Sequence, residues 1–227
     1  KVNPKYKSPK MELRELNGVV LSQNRNDVEI SKESILKKIV TKKFNFPSDS
    51  CRDLLLATIS LKYTQSNSVI FALNGQTIGI GAGQQSRLDS VKIAGNKAKT
   101  WFLRQHPTIL NLPFKEKVGS VGRINAIKLL IEEDLTKIEI KNFQKMFNNE
   151  LPKFSTEEKK EWIAKLTNVS LSSDAFFPFR DSIDYFAKVG VKYVVQPGGS
   201  KRVDEVISAS NEYGIAMAFS GIRLFHH

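Results

Sequence analysis

Short apolar runs and segments of helical period alternate in the last third of the chain. The predicted elements there are, in order, a strand at 169–172, a helix at 182–189, a strand at 191–195, a helix at 201–212 and a strand at 215–219. Strands that alternate with helices are typical of βαβ units with parallel pairing. Because ligands of such sheets bind beyond the carboxyl ends of the strands, we expect a binding site at the loops 173–181, 196–200 and 220–227.

One strong hairpin pattern lies in the first half of the chain. Two β-rich runs, 69–73 and 76–80, flank the dipeptide formed by Asn74 and Gly75. Two-residue hairpin turns favour Asn-Gly, because both central residues of such a turn adopt a positive φ. The sequence therefore predicts an antiparallel hairpin at this point.

The other elements of the first half are predicted from period and capping. Apolar residues lie almost all round the helix at 51–63, so we expect it to be buried centrally, with N-cap oxygens from residues 48–50. A glycine-rich turn follows the hairpin and leads into a helix that ends near Arg104. Weaker patterns predict a strand at 19–21 and a short helix at 31–40.

Changes in this pattern divide the chain into four parts. The first residues are basic and unpatterned, whereas the middle of the chain has proline breaks followed by charged segments of helical period. The fold class is α/β with a helical insertion. The predicted organisation is a tether at 1–16, a first part of the α/β lobe at 17–106, the helical insertion at 107–165 and a second part of the lobe at 166–227.

The formal net charge of +12 raises the possibility of a nucleic-acid partner. Lysines outnumber arginines by 26 to 9 and are spread along the whole chain, whereas base reading favours arginine. Most of the lysines are therefore interpreted as ordinary solvated surface, and this pattern argues against a nucleic-acid partner. The rest of the positive charge would attract a small anionic substrate.

Apolar runs and cysteine content bear on location and on metal binding. The longest apolar runs are far shorter than the roughly 20 residues that span a bilayer, so no membrane segment is predicted. With Cys51 as its single cysteine and only three histidines, the chain is expected to hold no metal and to reside in a reducing, cytoplasmic setting. It begins at Lys1 without a start or signal pattern, which favours a piece of a longer protein.

Two segments near the hairpin have the composition of a binding site. A run of polar side chains at 62–69, KYTQSNSV, fits a polar pocket wall or, alternatively, a solvated turn. The segment GIGAGQQSR, at 79–87, places glycines before a helix N-terminus, where backbone amides can approach a ligand. Its spacing matches neither the dinucleotide fingerprint nor the P-loop, so a tight turn without a ligand is the alternative.

Three further segments lie at the ends of the C-terminal strands. The loop SDAFFPFRD, at 173–181, offers aromatic rings that can stack a flat heterocycle and acids that can bind its amino groups; the alternative is that the rings anchor the loop in the core. Glycines before a helix in PGGSK, at 197–201, favour an anion. The terminal RLFHH, at 223–227, contains apolar residues that indicate a docked tail, with a purification tag as the alternative.

The blocks KYTQSNSV, IGIGAGQQSR, EKKEWIAKLT, SSDAFFPFRD and RLFHH occur in this order. Together they resemble the bifunctional purine biosynthesis family that joins aminoimidazole carboxamide ribonucleotide transformylase to inosine monophosphate cyclohydrolase, over residues 12–227. The resemblance implies a lobe with a cytidine-deaminase-like fold and active sites formed between the subunits of a homodimer. It also implies transfer of a formyl group from 10-formyltetrahydrofolate to the 5-amino group of the ribonucleotide.

The resemblance further implies roles for individual residues. Asn67 would be catalytic, and the nucleotide would be bound by Asn67, Phe176 and Arg223, with Arg223 on the phosphate. Residues implied to bind or line the folate site are Arg87, Leu88, Pro178, Phe179, Asp181, Ser200 and Lys201. Lys201 departs from the family pattern, in which a smaller residue is expected.

The Lys-His pair that supplies the family's general base is absent from the sequence, as is the cyclohydrolase domain. We therefore expect this chain to contribute part of an active site and to be nearly inactive alone. The alternative from another class is a nucleic-acid-binding module with a deaminase-like fold. A degenerate deaminase is a third interpretation, but the chain lacks the zinc ligands that a deaminase needs.

Overall fold

The computed structural model describes residues 3–132 and 135–225 of the chain, which divides into two compact units, Lys1–Ile30 and Ser31–His227. The described elements are β1 (Met11–Leu16), β2 (Val19–Asn24), α1 (Lys32–Ile35), β3 (Lys38–Ile39), α2 (Ser48–Lys62), β4 (Val69–Leu73), β5 (Gln76–Gly81), α3 (Arg87–Leu103), α4 (Pro107–Leu110), α5 (Ser120–Ile131), α6 (Lys137–Gln144), α7 (Thr156–Ile163), β6 (Val169–Ser173), α8 (Asp181–Ala187), β7 (Val191–Gln196), α9 (Val203–Glu212) and β8 (Ala216–Phe219).

The first unit is an antiparallel hairpin of β1 and β2. Leu16 pairs with Val19, and the turn between them consists of Asn17 and Gly18 with φ angles of 52° and 79°. Both strands are largely exposed, so neither shows the one-sided apolar alternation by which a half-buried strand is recognised. The sequence pattern of residues 1–16 therefore did not predict the strand at Met11–Leu16.

The second unit contains a six-stranded mixed sheet in the order β3-β8-β7-β6-β4-β5. The three C-terminal strands β6, β7 and β8 are parallel, as predicted. Strand β4 is antiparallel to both of its neighbours, β5 and β6. The predicted hairpin is also confirmed, with positive φ at Asn74 and Gly75. An α/β fold with a mixed sheet is thus established.

Helices cover both faces of the sheet. Phe71 of β4 belongs to a core cluster with Val91 and Ala94 of α3, whereas Thr58 of α2 meets Ser172 of β6 at 2.8 Å between the two hydroxyl oxygens. Since Phe71 pairs with Leu171 and not with Ser172, the two helices lie on opposite faces. A Cβ added to Gly81 would overlap the backbone oxygen of Ser90, so glycine allows α3 to lie directly on β5.

Two helix predictions need correction. The helix expected at 31–40 is only one turn, α1, which is followed by β3 at the sheet edge. The helix expected at 51–63 begins earlier, at Ser48, with Pro47 as its N-cap residue and no side-chain capping bond. It is buried on one face only, because Ile59 on the other face is exposed. Its apolar residues are numerous but not all inward-facing.

The middle of the chain is helical, as its period predicted. Helices α4 to α7 surround a second core cluster that includes Ile109, Leu130 and Phe147. Trp162 of α7 donates to the backbone oxygen of Phe102 at the end of α3, at 2.9 Å, which joins this cluster to the sheet-covering helix. Over the described ranges, none of the helices is both long and apolar enough to cross a membrane.

Candidate active site at the carboxyl edge of the parallel strands

Five chain segments converge where β6 ends. Val69, the first residue of β4, pairs with Ser173 at the end of β6 and with Gly81 at the end of β5. The turn before β4 and the loop before α3 therefore lie beside the loop that follows β6. The loops after β7 and β8 share this edge, because these strands are parallel to β6. This is the edge at which ligand binding was predicted.

Asp174, the first residue after β6, is fully buried at this edge. Its Oδ2 accepts hydrogen bonds from the Ser66 hydroxyl, from the Ser68 hydroxyl at 3.0 Å and from the Ser68 backbone amide at 3.1 Å. Its Oδ1 accepts from the guanidinium of Arg87, with which it forms a buried ion pair. The carboxylate thus has four donors from two other segments, which satisfies a charge that would be costly to bury alone.

Arg87 is the first residue of α3, and its guanidinium is also buried. Besides Asp174, it donates to the Ser68 backbone oxygen at 2.7 Å and to Oδ1 of Asn67 at 2.9 Å. Burial lowers the pKa of Arg87 by disfavouring its charged form, and the nearby Asp174 carboxylate opposes that shift. The Asp174 charge therefore compensates for the lost hydration of the guanidinium.

Asn67 is held from several sides. The Ser66–Asn67 peptide bond is cis. The side-chain Oδ1 accepts from Arg87, while Nδ2 donates to the backbone oxygen of Gln84 at 2.8 Å. The Ser90 hydroxyl donates to the Asn67 backbone oxygen at 2.9 Å. These bonds fix which way the carboxamide faces, and Nδ2 has a second hydrogen beyond the one given to Gln84.

Gln196 and the C-terminal tail connect the three loops of the parallel strands. Gln196, the last residue of β7, accepts from the Phe177 amide through Oε1 at 3.0 Å and from the Ser220 amide through its backbone oxygen at 2.9 Å. Leu224 is buried, and its amide donates to the Asp174 backbone oxygen at 2.9 Å. The expectation of a docked tail is confirmed for Leu224, whereas His226 and His227 lie outside the described residues.

The aromatic loop after β6 is divided between core and surface. Phe177 is fully buried, whereas Phe176 and Phe179 remain 41% and 45% exposed. The Arg202 guanidinium lies 5.0 Å from the ring centroid of Phe179, which brings the loops after β6 and β7 together. Core anchoring, the alternative considered for these rings, therefore applies to Phe177 alone.

The other predicted site residues lie around this cluster at varying exposure. Asp181 is exposed at the start of α8, and its carboxylate accepts from the Ser182 amide at 2.6 Å. The Ser200 hydroxyl accepts from the Arg202 amide, and Arg223 is exposed with its guanidinium 4.6 Å from the Phe225 ring centroid. Partly buried are Leu88, Pro178 and Ser200, and Lys201 is exposed.

Comparison with known proteins shows similarity to one group of enzymes. Residues 1–97 match the family model described as AICARFT/IMPCHase bienzyme. The chain is 33% identical over 222 residues to the bifunctional purine biosynthesis protein PurH of Magnetococcus marinus (strain ATCC BAA-1437 / JCM 17883 / MC-1), an alignment that covers 96% of this chain. Nearly the whole chain is thus similar to one part of a purine biosynthesis bienzyme. The resemblance found in its sequence blocks is confirmed.

A second relative matches this chain to a similar extent. The PurH protein of Aquifex aeolicus (strain VF5) is 34% identical over 216 residues, which is 95% of this chain. Each alignment spans 30% of the relative, so the chain corresponds to about 30% of the length of the curated bienzymes it matches.

The bienzyme resemblance did not point to Asp174, Ser66 or Ser68. The sequence contained partial signals for all three, because Asp174 follows a predicted strand directly and the serines belong to the polar run at 62–69. Within that run Tyr63 is exposed whereas Ser66 and Ser68 are buried, so a solvated turn describes Tyr63 but not the two serines. Which of its hydroxyls face inward depends on the pairing of β4 with β6.

Proposed function

We propose that this chain supplies part of the active site of a folate-dependent formyltransferase of purine biosynthesis. The reaction is the transfer of a formyl group from 10-formyltetrahydrofolate to the 5-amino group of aminoimidazole carboxamide ribonucleotide. The observation that carries the proposal is the oriented Asn67 carboxamide, held by the buried Arg87 and Asp174 pair at the predicted edge. Homology to proteins named for bifunctional purine biosynthesis supports it.

The chemistry requires orientation, removal of a proton and stabilisation of an oxyanion. An amine on a carboxamide-substituted imidazole is a weak nucleophile, and the formyl carbon becomes tetrahedral when attacked. Arg87 occupies Oδ1 of Asn67, so the amide nitrogen is the end that remains to donate. We assign to Asn67 the orientation of the amine or a hydrogen bond to the forming oxyanion.

The surrounding loops offer groups of the types that the two substrates need. Arg223, exposed at the tail, would bind the nucleotide phosphate, and Phe176 would pack against the base. Asp181 would bind amino and ring nitrogen groups of the folate. The remaining residues that the family resemblance implies to bind or line the folate site are Arg87, Leu88, Pro178, Phe179, Ser200 and Lys201. Because Arg87 is buried, its part would be to hold Asn67 in place.

The proposal places proton removal outside these 227 residues. Asp174 is enclosed by its donors, and the sequence contains no Lys-His pair. We propose that the general base and the rest of each site come from another part of the bienzyme, within a homodimer. A cytidine-deaminase-like fold for the lobe and a cytoplasmic location belong to the same proposal.

Complementation of formyl transfer is the test. The chain alone is expected to give almost no product from the ribonucleotide and 10-formyltetrahydrofolate. Addition of the bienzyme segment that carries the Lys-His pair is expected to restore transfer. Full activity of the chain alone would refute the shared site, and no activity in the mixture, with both parts folded and bound to each other, would refute the proposed reaction.

Nucleic-acid binding is the alternative, and the net charge of +12 is the observation that favours it. Affinity for duplex or single-stranded nucleic acid would fall steeply with salt, because binding to phosphates releases counterions. Titration of the chain with nucleic acid at several salt concentrations separates the two functions. Tight, salt-dependent binding of nucleic acid that the ribonucleotide does not displace would support the alternative.

A further inference from the structure

Asp174 is enclosed by protein donors and therefore has no open face for a ligand. All four of its carboxylate hydrogen bonds go to protein groups, and its exposed area is zero. A buried ion pair is often no more stabilising than apolar residues of the same volume, because both ions lose their hydration. What the pair with Arg87 does supply is a fixed direction for the guanidinium.

The fixed guanidinium in turn orients the side chain of Asn67. The guanidinium is planar, and Asp174 and the Ser68 backbone oxygen hold Nη1 while Nη2 donates to Oδ1 of Asn67. Rotation of the guanidinium would break these bonds together. The orientation of the Asn67 carboxamide is thus set by a carboxylate that does not touch Asn67.

The backbone of Asp174 holds two further segments. Its amide donates to the Ser68 backbone oxygen at 3.3 Å, and its oxygen accepts from Leu224 at 2.9 Å, next to Arg223. Arg223 would bind the phosphate and Asn67 would act at the formyl carbon. Asp174 thus joins the segment that contains Asn67 to the segment that contains Arg223. These segments lie about 100 and 50 residues from Asp174 in the sequence.

We propose that Asp174 is a positioning residue for formyl transfer, which acts through Arg87 on Asn67. This inference rests on the proposed function of the site. Asp174 neither binds substrate nor transfers a proton. Its loss is expected to lower kcat by roughly 10²-fold, the cost of misplacing a reacting group by about 1 Å, with a smaller change in the KM for folate.

Asp53 provides a matched control. It is also buried and also has four donors, from Arg52 Nε and Nη2 and from the backbone amides of Asn74 and Gly75. Asp53 lies at the other end of the β4–β5 hairpin, away from the site. Asp174→Asn and Asp53→Asn are both expected to lower the melting temperature, but only Asp174→Asn is expected to lower kcat in the complemented protein.

A double-mutant cycle with Asn67→Ala tests the route of action. If Asp174 acts through Asn67, then Asp174→Asn should cause little further loss of kcat in the Asn67→Ala background. Independent effects would instead multiply to within about twofold, since free energies of uncoupled sites add. Multiplying losses, or a normal kcat in folded Asp174→Asn, would overturn the proposal. Should Asp174→Asn fail to fold, Ser68→Ala removes a single donor and should give a smaller loss of the same kind.

Hydrogen exchange provides a readout that does not depend on activity. In Asp174→Asn, amides at 66–68, 84–90 and 222–225 should exchange faster than in the unaltered chain, while in Asp53→Asn the faster amides should be those at 73–76. Unchanged exchange at 66–68 and 222–225 in Asp174→Asn would overturn the positioning role even if formyl transfer were never detected. Loss of formyl transfer in the unaltered protein, with this exchange pattern intact, would count against the proposed function alone.

Discussion

Each end of the β4–β5 hairpin has a buried aspartate that is paired with an arginine, but the two aspartates have different roles. At the turn, Asp53 accepts from Asn74 and Gly75 and pairs with its neighbour Arg52, whose side chain is half exposed. At the open end, Asp174 pairs with Arg87, and both side chains are almost completely buried. Each carboxylate has four donors. Asp53 joins residues 21 and 22 positions apart from it, whereas Asp174 joins Arg87 and Ser66, which are 87 and 108 positions away.

This difference distinguishes a buried aspartate that caps a turn from one that organises a site. Asp53 stabilises one tight turn, and Arg52 can release it and be solvated by water. Asp174 and Arg87 are almost inaccessible to water, so separating them would also disturb Asn67 and the C-terminal tail. A local cap should fail locally, whereas a residue that joins several segments should affect the whole site.

The largest expected effect is on stability, from removal of each carboxylate. Asp174→Ala leaves Arg87 charged, buried and without its counterion, so we expect a loss of about 3–5 kcal/mol in the free energy of unfolding. Asp53→Ala should cost about 1–3 kcal/mol, because two backbone amides lose an acceptor while Arg52 remains partly hydrated. Urea unfolding of both variants measures the difference. Equal losses would mean that the two ends are energetically equivalent.

An intermediate effect is expected from glycine substitutions at the same two ends. A Cβ in Gly81→Ala would overlap the Ser90 backbone oxygen, so α3 must move away from β5, at a cost of about 1–3 kcal/mol or more. Gly75→Ala meets only the flexible Arg52 side chain at 3.4 Å and bears the cost of a positive φ, about 1 kcal/mol. Thermal unfolding should rank Gly81→Ala as the more damaging change, and the reverse order would contradict this packing.

The smallest effect concerns the partly exposed carboxylate of Asp184, which serves as a reference for the two buried ones. Hydrogen bonds from Arg180 chiefly, and from Tyr213, lower the pKa of Asp184 below its ordinary value of 3.8, against a rise from burial. Its contribution to stability is therefore complete above about pH 4 and is lost as the pH falls through the lowered pKa. Asp184→Asn should slightly reduce the drop in melting temperature below pH 4. An unchanged pH profile would show that this surface pair contributes nothing measurable.

The parts of the fold that sequence predicts well are those specified by local chemistry. The Asn74-Gly75 turn and the alternation of strands and helices after residue 168 needed only short-range patterns. The strand predicted at 19–21 is part of β2, but its hairpin with β1 was missed although Asn17-Gly18 is the same signal, because both strands are largely exposed and lack a buried stripe. An Asn-Gly turn signal alone did not predict a hairpin whose exposed strands have no alternation of apolar and polar residues.

The buried cluster lies at the sheet edge for which a site was predicted, but its central residue, Asp174, was not among the predicted site residues. The loop 173–181 contains two carboxylates, Asp174 and Asp181, and family resemblance pointed to the second. The structure buries the first and leaves the second exposed. That choice depends on Arg87, 87 residues earlier, and on the register of β4 against β6. Contacts of this range have no local signature in a single sequence.

The most direct measurement is the formyl-transfer rate of the complemented protein with Asn67→Ala, with Asn74→Gly as the control at the other end of the hairpin. Loss of a donor to a forming oxyanion typically lowers kcat by about 10²–10³-fold, and we expect a fall of this size for Asn67→Ala. Asn74→Gly keeps its backbone amide for Asp53 and suits the positive φ of the turn, so it should retain the normal rate. A normal rate in Asn67→Ala would contradict the proposed role of Asn67 in formyl transfer.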